Sequence, residues 1–285
     1  MRLPATKFIV FNAAAGLVGV AALVTAVKTV LLPDPIAPCN ERYHSMTGFA
    51  LERAGATLTA ADLQASLGGK DVGVIDNVTI GPVKDAPTPL AISVVLGKAT
   101  TASPQGSAES KGGATFPWEP RVLQGKARAC LSYQVLLPAS FDFQRGGALP
   151  GIGGADAGEQ GDKFLARIIW RPKATGGATV RITENGTTRA LPAEREGFEF
   201  PRGKWVKLEQ EVVLNTPKKS DGVLRVWVDG TLAIDRADMI YRAKPDVTIS
   251  GVSVDVFYGS SPDDVQAAPP KDVKVWLTPF EVRWQ

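Results

Sequence analysis

Residues that can move a proton near neutral pH are scarce in this chain of 285 residues, which contains one histidine and four tyrosines. The histidine, His44, lies close to the N-terminus, where the sequence favours a solvated surface position over the role of a catalytic base. No tyrosine occurs between Tyr133 and Tyr241. If the protein is an enzyme, we expect proton transfer from Tyr241, Tyr258 or Lys163, because tyrosine and lysine side chains can act as general acids and bases.

The other reactive side chains do not form a constellation that the spacing singles out. Glu159, Glu184 and Asp255 could contribute to a carboxylate pair that hydrolyses a glycosidic bond, but nothing distinguishes any two of them. The two cysteines and one histidine are too few for a zinc site of the usual kind. We therefore predict no metal ion and no other cofactor.

The two cysteines, Cys39 and Cys130, allow two interpretations. In an oxidising compartment they could form a disulfide, and closing a loop of about 90 residues would stabilise the fold by roughly 4 to 5 kcal/mol in the chain-entropy model. Alternatively they are separate thiols, with Cys130 an ordinary small core residue of the segment ACLSYQV.

The N-terminal segment has the features of an export signal. Arg2 and Lys7 precede an apolar run at 8–27, and about 20 helical residues span the roughly 30 Å of a bilayer core. Positive charge before the run favours export of everything that follows it. The run favours an uncleaved membrane anchor over a cleaved signal peptide. Either interpretation places the bulk of the protein in the periplasm or on the extracellular face.

The overall charge excludes one class of partner. The formal net charge is +3, and the chain has no block of lysine and arginine with interleaved aromatic residues, so we predict no nucleic-acid binding. A mildly basic surface is compatible with an acidic glycan, although ordinary solubility explains it equally well. The sequence leaves the oligomeric state open.

The elements that must position any site are predicted to be β-strands. The chain contains 29 glycines and 21 prolines, and from about residue 72 apolar and polar residues alternate in nine or more short stretches separated by turn signals. This pattern predicts an all-β fold, either a jelly roll or another two-sheet antiparallel β-sandwich. One short helix is expected at 58–67. The predicted organisation is a signal anchor or signal peptide with a stalk at 1–34, a linker with that helix at 35–74 and the jelly roll at 75–285.

Alternation also assigns a face to one tryptophan. In the stretch VLRVWVDG, Leu224 and Val226 point to one face of the predicted strand, while Arg225 and Trp227 point to the other. Packing against a second sheet is the favoured role for Trp227. A platform on which a sugar ring stacks is the alternative.

Five stretches occur in an order that resembles a known enzyme family. They are LSYQVLLPASFDFQRGGALPGIGG (131–154), KFLARIIWRP (163–172), GKWVKLEQEVVLNTP (203–217), DGVLRVWVDG (221–230) and VSVDVFYGSS (252–261). Together they look like the alginate and glucuronan lyases of polysaccharide lyase family 14. The resemblance covers about residues 75–285 and implies a β-jelly roll that cleaves uronate polymers by β-elimination.

The resemblance also shows where this chain departs from the family pattern. Similar proteins usually read GGKLPGL where this chain has Ala148 in place of the lysine, within a glycine-rich stretch that we predict to be a tight turn. They carry Ser-x-Arg where this chain has Leu165 and Arg167. Their Tyr-x-Tyr pair aligns with Val180 and Ile182. The resemblance therefore implies a lyase frame that keeps the arginine and loses the lysine, the serine and both tyrosines.

Three functions follow from these observations. The first is an exported protein that binds an acidic polysaccharide without cleaving it, through residues that comprise Arg167, Arg145, Arg181 and Trp227. The second is an active lyase whose acid and base are drawn from Tyr241, Tyr258 and Lys163. The third is a structural or assembly protein of the cell envelope. For Arg167 the alternative to binding is a structural ion pair with Glu159, Asp162 or Glu184.

Overall fold

The computed structural model describes residues 36–97, 112–143, 146–156, 161–193, 197–259 and 271–285. The predicted membrane segment at 8–27 lies outside these ranges, as do Arg145 and Glu159. Within them, the structure contains no helix that is both long and apolar enough to cross a membrane.

Short helices occur near the N-terminus of the described chain, and strands make up most of the rest. The helices are α1 (Cys39–Arg42), α2 (Ala60–Leu67) and α3 (Val74–Asn77). The strands are β1 (Ser45–Gly48), β2 (Glu52–Arg53), β3 (Ala56–Thr57), β4 (Val78–Gly81), β5 (Ala91–Leu96), β6 (Ala114–Trp118), β7 (Arg128–Leu136), β8 (Gly147–Ala155), β9 (Lys163–Trp170), β10 (Thr175–Glu184), β11 (Thr187–Pro192), β12 (Phe198–Glu199), β13 (Trp205–Val213), β14 (Gly222–Val228), β15 (Thr231–Met239), β16 (Thr248–Tyr258), β17 (Val273–Leu277) and β18 (Glu281–Trp284).

Two antiparallel sheets form the body of the protein. Among the described residues, one sheet has nine strands in the order β15-β14-β13-β7-β17-β5-β4, and β18 joins it by pairing with both β7 and β1. The other has seven strands in the order β11-β10-β9-β8-β16-β6, with β12 paired to β10. The sheets share one apolar core. The prediction of an all-β, two-sheet antiparallel fold is confirmed.

Alternation along each strand decides which side chains enter the core. In β9, Phe164, Ala166 and Ile168 are buried in the core, while Leu165 and Arg167 face away from it. Period-two patterning of this kind fixes the pairing register, because a slip of one residue would turn every apolar side chain outward.

A buried glutamine links the two sheets through hydrogen bonds. The side chain of Gln210, from the nine-stranded sheet, accepts a hydrogen bond from the Ile152 N–H at 2.9 Å and donates one to the Ala166 carbonyl at 3.1 Å. Beside it, the Tyr133 hydroxyl donates to the Pro150 carbonyl at 3.1 Å. The pairing of β8 with β9 shifts register between Leu149 and Gly151, so these side chains stabilise the backbone where the ladder is irregular.

The glycine-rich stretch predicted to be a tight turn is instead strand β8, at the centre of the seven-stranded sheet. A β-carbon on Gly147 would lie 2.0 Å from the Trp170 ring, and one on Gly151 would lie 1.9 Å from the Ala166 carbonyl oxygen. The turn prediction was wrong because these glycines provide room for neighbouring groups of this same chain, rather than a change of chain direction.

The helix predicted at 58–67 is confirmed as α2. Thr59 caps it, with its side chain accepting from the Asp62 N–H while the Asp62 carboxylate accepts from the Thr59 N–H. Gly68 ends it in the left-handed conformation at φ 62°. Helix α3 occupies part of a stretch predicted to be a strand, and it begins after Gly73, which has φ 74°.

Residues 38–51 pack against the nine-stranded sheet, and 52–57 form an exposed two-stranded hairpin. Cys39 and Cys130 form a disulfide with their Cα atoms 5.7 Å apart. Of the two interpretations of these cysteines, the disulfide is therefore the one that the structure has. Strand β1 pairs with β18, and Leu51 is buried in the core. The segment predicted as a linker is therefore part of the fold.

A buried carboxylate holds this N-terminal segment against the sheet. Glu211 accepts a hydrogen bond from the Tyr43 hydroxyl at 2.6 Å and forms ion pairs with Arg42 at 2.8 Å and Arg225 at 3.1 Å. Burial raises the pKa of Glu211, but the hydrogen bonds from Arg42 and Tyr43 outweigh that effect, so its pKa lies below the usual value.

Candidate functional site

A groove of about 380 Å³ lies on the outward face of the seven-stranded sheet. Strands β9, β10 and β16 supply most of its charged and hydroxyl side chains. Together with Glu119, which follows β6, and Thr188 on β11, the charged and hydroxyl residues of the groove are Lys163, Arg167, Arg181, Thr183, Ser250, Ser253 and Asp255.

Simple alternation explains why these side chains reach the groove. In the β16 stretch VSVDVFY, Val252, Val254 and Val256 enter the core. The residues between them, Ser253 and Asp255, face the groove. Polar residues at every second position of an otherwise apolar strand therefore mark the groove face.

An ion pair between Arg167 and Asp255 forms the floor of the groove. One guanidinium nitrogen of Arg167 donates to an Asp255 carboxylate oxygen at 3.1 Å. Arg167 is 5% exposed and Asp255 is 2% exposed, and the guanidinium lies 5.5 Å from the centroid of the Phe257 ring. Burial lowers the pKa of Arg167, the Asp255 carboxylate opposes that shift and the positive charge of Arg181 adds to it.

The pair reaches across the glycine-rich strand. Arg167 belongs to β9 and Asp255 to β16, and β8 lies between these strands. In the register, Arg167 is opposite Gly151, which is opposite Ser253. Two interstrand spacings amount to about 10 Å. The long arginine side chain covers that distance over a strand whose nearby residues, Gly151 and Gly153, have no side chains.

Two further cations line the groove. Lys163 is exposed and Arg181 is half-buried. Within the part of the chain that the structure describes, neither has a carboxylate within 4.0 Å of its nitrogen atoms. Thr183 lies opposite Lys163 and exchanges a hydrogen bond with Thr188, with the two hydroxyl oxygens 2.9 Å apart. This part of the groove therefore presents unpaired positive charge beside hydroxyl groups.

The acids proposed as alternative partners of Arg167 are engaged elsewhere. Asp162 pairs with Lys244 at 2.8 Å and accepts from the Asn185 N–H at 2.8 Å, and these contacts lower its pKa. Glu184 pairs with Arg189 at 3.2 Å, and Glu159 lies outside the described residues. The partner of Arg167 is Asp255 instead.

Tyr241 and Tyr258, the tyrosines expected to supply an acid or base, are not in the groove. Both are buried in the core. The Tyr241 hydroxyl donates to the Val223 carbonyl at 3.0 Å, and the Tyr258 hydroxyl donates to the Asp142 carbonyl. Burial raises the pKa of each phenol, which favours the neutral form that makes these structural hydrogen bonds.

The other two tyrosines are also engaged elsewhere. Tyr43 binds Glu211, and Tyr133 binds the Pro150 carbonyl. The chain has four tyrosines, so every one of them donates its hydroxyl to an acceptor away from the groove. His44 is exposed in the segment between α1 and β1.

Trp227 lies on the face of the sandwich opposite the groove. It belongs to the nine-stranded sheet, is 1% exposed and lies 5.7 Å below the guanidinium of Arg42. Neither expectation for this residue agrees with its position. Trp227 is not part of the apolar core that the sheets share, and with 1% exposure its ring offers no surface to a sugar.

The positions aligned with the family's tyrosine pair face the wrong way for a site. Val180 and Ile182 are buried in the core, whereas Arg181 and Thr183 between and after them line the groove. The aligned positions therefore contribute no side chain to the groove. Ala148 is buried and opposite Ile169.

Sequence reasoning missed the specific role of Asp255. It named this residue only as one of several acids, with no partner. The signal was present in the alternation of VSVDVFY, because an aspartate on the groove face of a strand that lies two strands from Arg167 is a natural partner for it.

Among the described residues, the one cluster of potential metal ligands includes both cysteines of the disulfide. The side chains of Cys39, Cys130 and Glu209 offer potential ligand atoms within 4.8 Å of one another. The two sulfur atoms are joined in the disulfide and are not thiolates, which are the form of cysteine that binds metals.

The sequence of this chain was compared with models of known protein families. The family model described as Polysaccharide lyase 14 matches residues 89–280. The chain belongs to the polysaccharide lyase 14 family. A comparison of its sequence with curated proteins gave no match.

Three solved lyase structures share the fold at low sequence identity. The PL-14 alginate lyase from Aplysia kurodai is 19% identical, with a TM-score of 0.65 over 85% of this chain and 99% of that one. Alginate lyase vAL-1 from Chlorella virus is also 19% identical, with a TM-score of 0.59 over 84% of this chain and 99% of that one. The endo-β-1,4-glucuronan lyase from Trichoderma reesei is 11% identical, with a TM-score of 0.53 over 73% of this chain and 87% of that one.

Proposed function

We propose that this polysaccharide lyase 14 protein binds an acidic polysaccharide in its groove without cleaving it. The observation that carries the proposal is the absence of all four tyrosines from a groove that presents Lys163 and Arg181. Positive side chains without acid partners suit a polymer of carboxylated sugars. The structurally similar alginate and glucuronan lyases are named for such polymers.

The chemistry of β-elimination explains why binding is favoured over cleavage. A base must remove the proton next to the uronate carboxylate, and an acid must protonate the departing oxygen. Each positioned proton-transfer group typically contributes about 10²- to 10⁴-fold to the rate. Of the three residues expected to transfer protons, Tyr241, Tyr258 and Lys163, Lys163 is the one that lines the described part of the groove. A mechanism with a separate acid and base therefore cannot draw both groups from these three residues.

The second candidate is an active lyase, which family membership supports directly. In that case Lys163 would transfer protons at the substrate. The Arg167–Asp255 pair would hold the groove floor rigid beneath it. This candidate requires Lys163 to serve both proton transfers, or to share them with another group of the groove such as the Glu119 carboxylate.

We also propose that the protein is exported and remains attached to a membrane. The apolar run at 8–27, with basic residues before it, supports this proposal. The disulfide between Cys39 and Cys130 supports it independently, since structural disulfides persist in oxidising compartments. A ligand-free structural role in the envelope is the third candidate.

A binding comparison tests the proposed function. The full-length protein is titrated calorimetrically with alginate, with glucuronan and with each polymer after its carboxyl groups have been reduced to alcohols. We expect binding to at least one polyuronate and none to its reduced counterpart, because the two polymers differ only in the carboxylates. Equal binding to both forms would contradict carboxylate recognition, and no binding to any polymer would favour the structural role.

A further inference from the structure

We infer that Arg181, assisted by Lys163, is the carboxylate-recognition residue of the groove, and that Arg167 serves as the internal partner of Asp255. The inference rests on the proposed binding of an acidic polysaccharide. It assigns the specificity of the groove to Arg181, which lies between Val180 and Ile182, the two positions aligned with the family's tyrosines.

Arg167 is poorly suited to bind a substrate carboxylate. Its positive charge is already compensated by Asp255 at 3.1 Å, and both side chains are almost fully buried. A ligand that drew Arg167 away from Asp255 would leave that carboxylate buried without a partner, which is strongly unfavourable, and the 5% exposure of Arg167 limits access to its remaining N–H groups. The pair therefore presents a floor with no net charge.

Arg181 has the properties that Arg167 lacks. It lines the groove and is half-buried, which restrains the side chain while leaving it accessible. Its cross-strand neighbours are Leu165 on β9 and Ala190 on β11, and neither side chain can accept a hydrogen bond. A planar guanidinium with free donors matches the two oxygens of a carboxylate.

The positive charge of Arg181 acts within the groove itself. It lowers the pKa of the neighbouring Arg167, so the two guanidinium groups are close enough to repel each other. A sugar carboxylate bound at Arg181 would offset part of that repulsion.

Lys163 extends the recognition to a second carboxylate. It is opposite Thr183, and Arg181 is opposite Leu165, so the two cations are diagonal neighbours on adjacent strands. Diagonal neighbours are about 7 to 8 Å apart at the backbone, a spacing from which the two long side chains can bind carboxylates on different sugar units.

Charge-neutral variants separate the two arginines. Dissociation constants for short alginate and glucuronan oligosaccharides are measured for the full-length wild type, Arg181→Gln, Arg181→Lys and the double variant Arg167→Gln with Asp255→Asn. We expect Arg181→Gln to weaken binding about 10- to 100-fold, the loss typical of one charge-assisted contact. Arg181→Lys should retain part of the affinity, and the double variant should stay within about threefold of wild type, since it removes no net charge.

A matched control comes from an arginine outside the groove. Arg189→Gln makes the same charge change on β11, where Arg189 pairs with Glu184, and should leave the dissociation constant unchanged. Circular dichroism checks that each variant is folded. The assignment would be overturned if folded Arg181→Gln bound with wild-type affinity. It would also be overturned if the folded double variant lost as much affinity as is expected for Arg181→Gln. Absence of binding by the wild type would instead overturn the proposed function on which the assignment rests.

Discussion

Arg167 and Asp255 form a buried ion pair across the glycine-rich strand that separates their own strands. The arginine is the residue of the family pattern that this chain retains, and its partner is part of the same groove floor. The pair explains why a sheet with cations on its surface has an uncharged centre.

Removal of one member of this pair should destabilise the fold. Asp255→Ala leaves the Arg167 guanidinium buried without its partner, and we expect a loss of about 3 to 5 kcal/mol in the free energy of unfolding. Urea denaturation measures this change. Ser253→Ala on the same strand is the control and should change stability by less than about 1 kcal/mol. An equally small effect of Asp255→Ala would mean that the pair is not buried as described.

The glycines of strand β8 should differ sharply in their tolerance of a methyl group. Gly151→Ala places a β-carbon 1.9 Å from the Ala166 carbonyl oxygen, a backbone clash expected to cost about 3 kcal/mol or more. Gly153→Ala places it 3.6 Å from its nearest neighbour and should cost less than about 1 kcal/mol. Thermal unfolding of the two variants makes the comparison, and similar midpoints would contradict the packing of this strand.

The disulfide should contribute substantially to stability. Cys39 and Cys130 are 91 residues apart in sequence, so the chain-entropy model predicts a loss of about 4 to 5 kcal/mol when both become serine. Denaturation of the double variant and the wild type, with and without reductant, measures this. Reductant should weaken the wild type and leave the variant unchanged. Equal stability of oxidised wild type and variant would argue against the bond.

Glu211 should make the free energy of unfolding depend on pH. Its pKa is lower in the folded protein than in the unfolded chain, so its ionised form stabilises the fold above the unfolded value of about 4.3. This contribution is lost as the pH falls through the folded pKa. The free energy of unfolding of wild type should therefore exceed that of Glu211→Gln at neutral pH, with the gap narrowing in acid.

The control for that measurement is Glu52→Gln, which changes an exposed carboxylate on β2. Its stability should follow the wild type at every pH. A gap between wild type and Glu211→Gln that stays constant from neutral pH to strong acid would contradict the described hydrogen bonds to Glu211.

Local patterns in the sequence predicted the strands well because alternation is a local property. The stretch KFLARIIW contains the information needed to send Phe164 inward and Arg167 outward. The same reasoning failed at β8, where glycine has no side chain to alternate and a strand resembles a turn. Gly73 and the short helix after it were missed because a left-handed glycine before four helical residues gives little periodic signal.

Which residues form the site could not be predicted from local patterns, because the site depends on contacts between segments that are distant in sequence. No local rule joins Arg167 to Asp255, which are 88 residues apart. The burial of Tyr241 and Tyr258 could not be predicted either, because an apolar neighbourhood around a tyrosine is created by other strands. Across β10, the positions aligned with the family's tyrosines, Val180 and Ile182, lie on the core face, and the groove face holds Arg181 and Thr183 instead.

The ultraviolet absorbance of unsaturated sugar ends, followed during a long incubation of the protein with the polyuronate that it binds, distinguishes binding without cleavage from lyase activity. We expect no increase in absorbance, with the polymer recovered intact from the complex. An increase that Lys163→Ala abolishes would contradict binding without cleavage and would show that the groove is the active site of a working lyase.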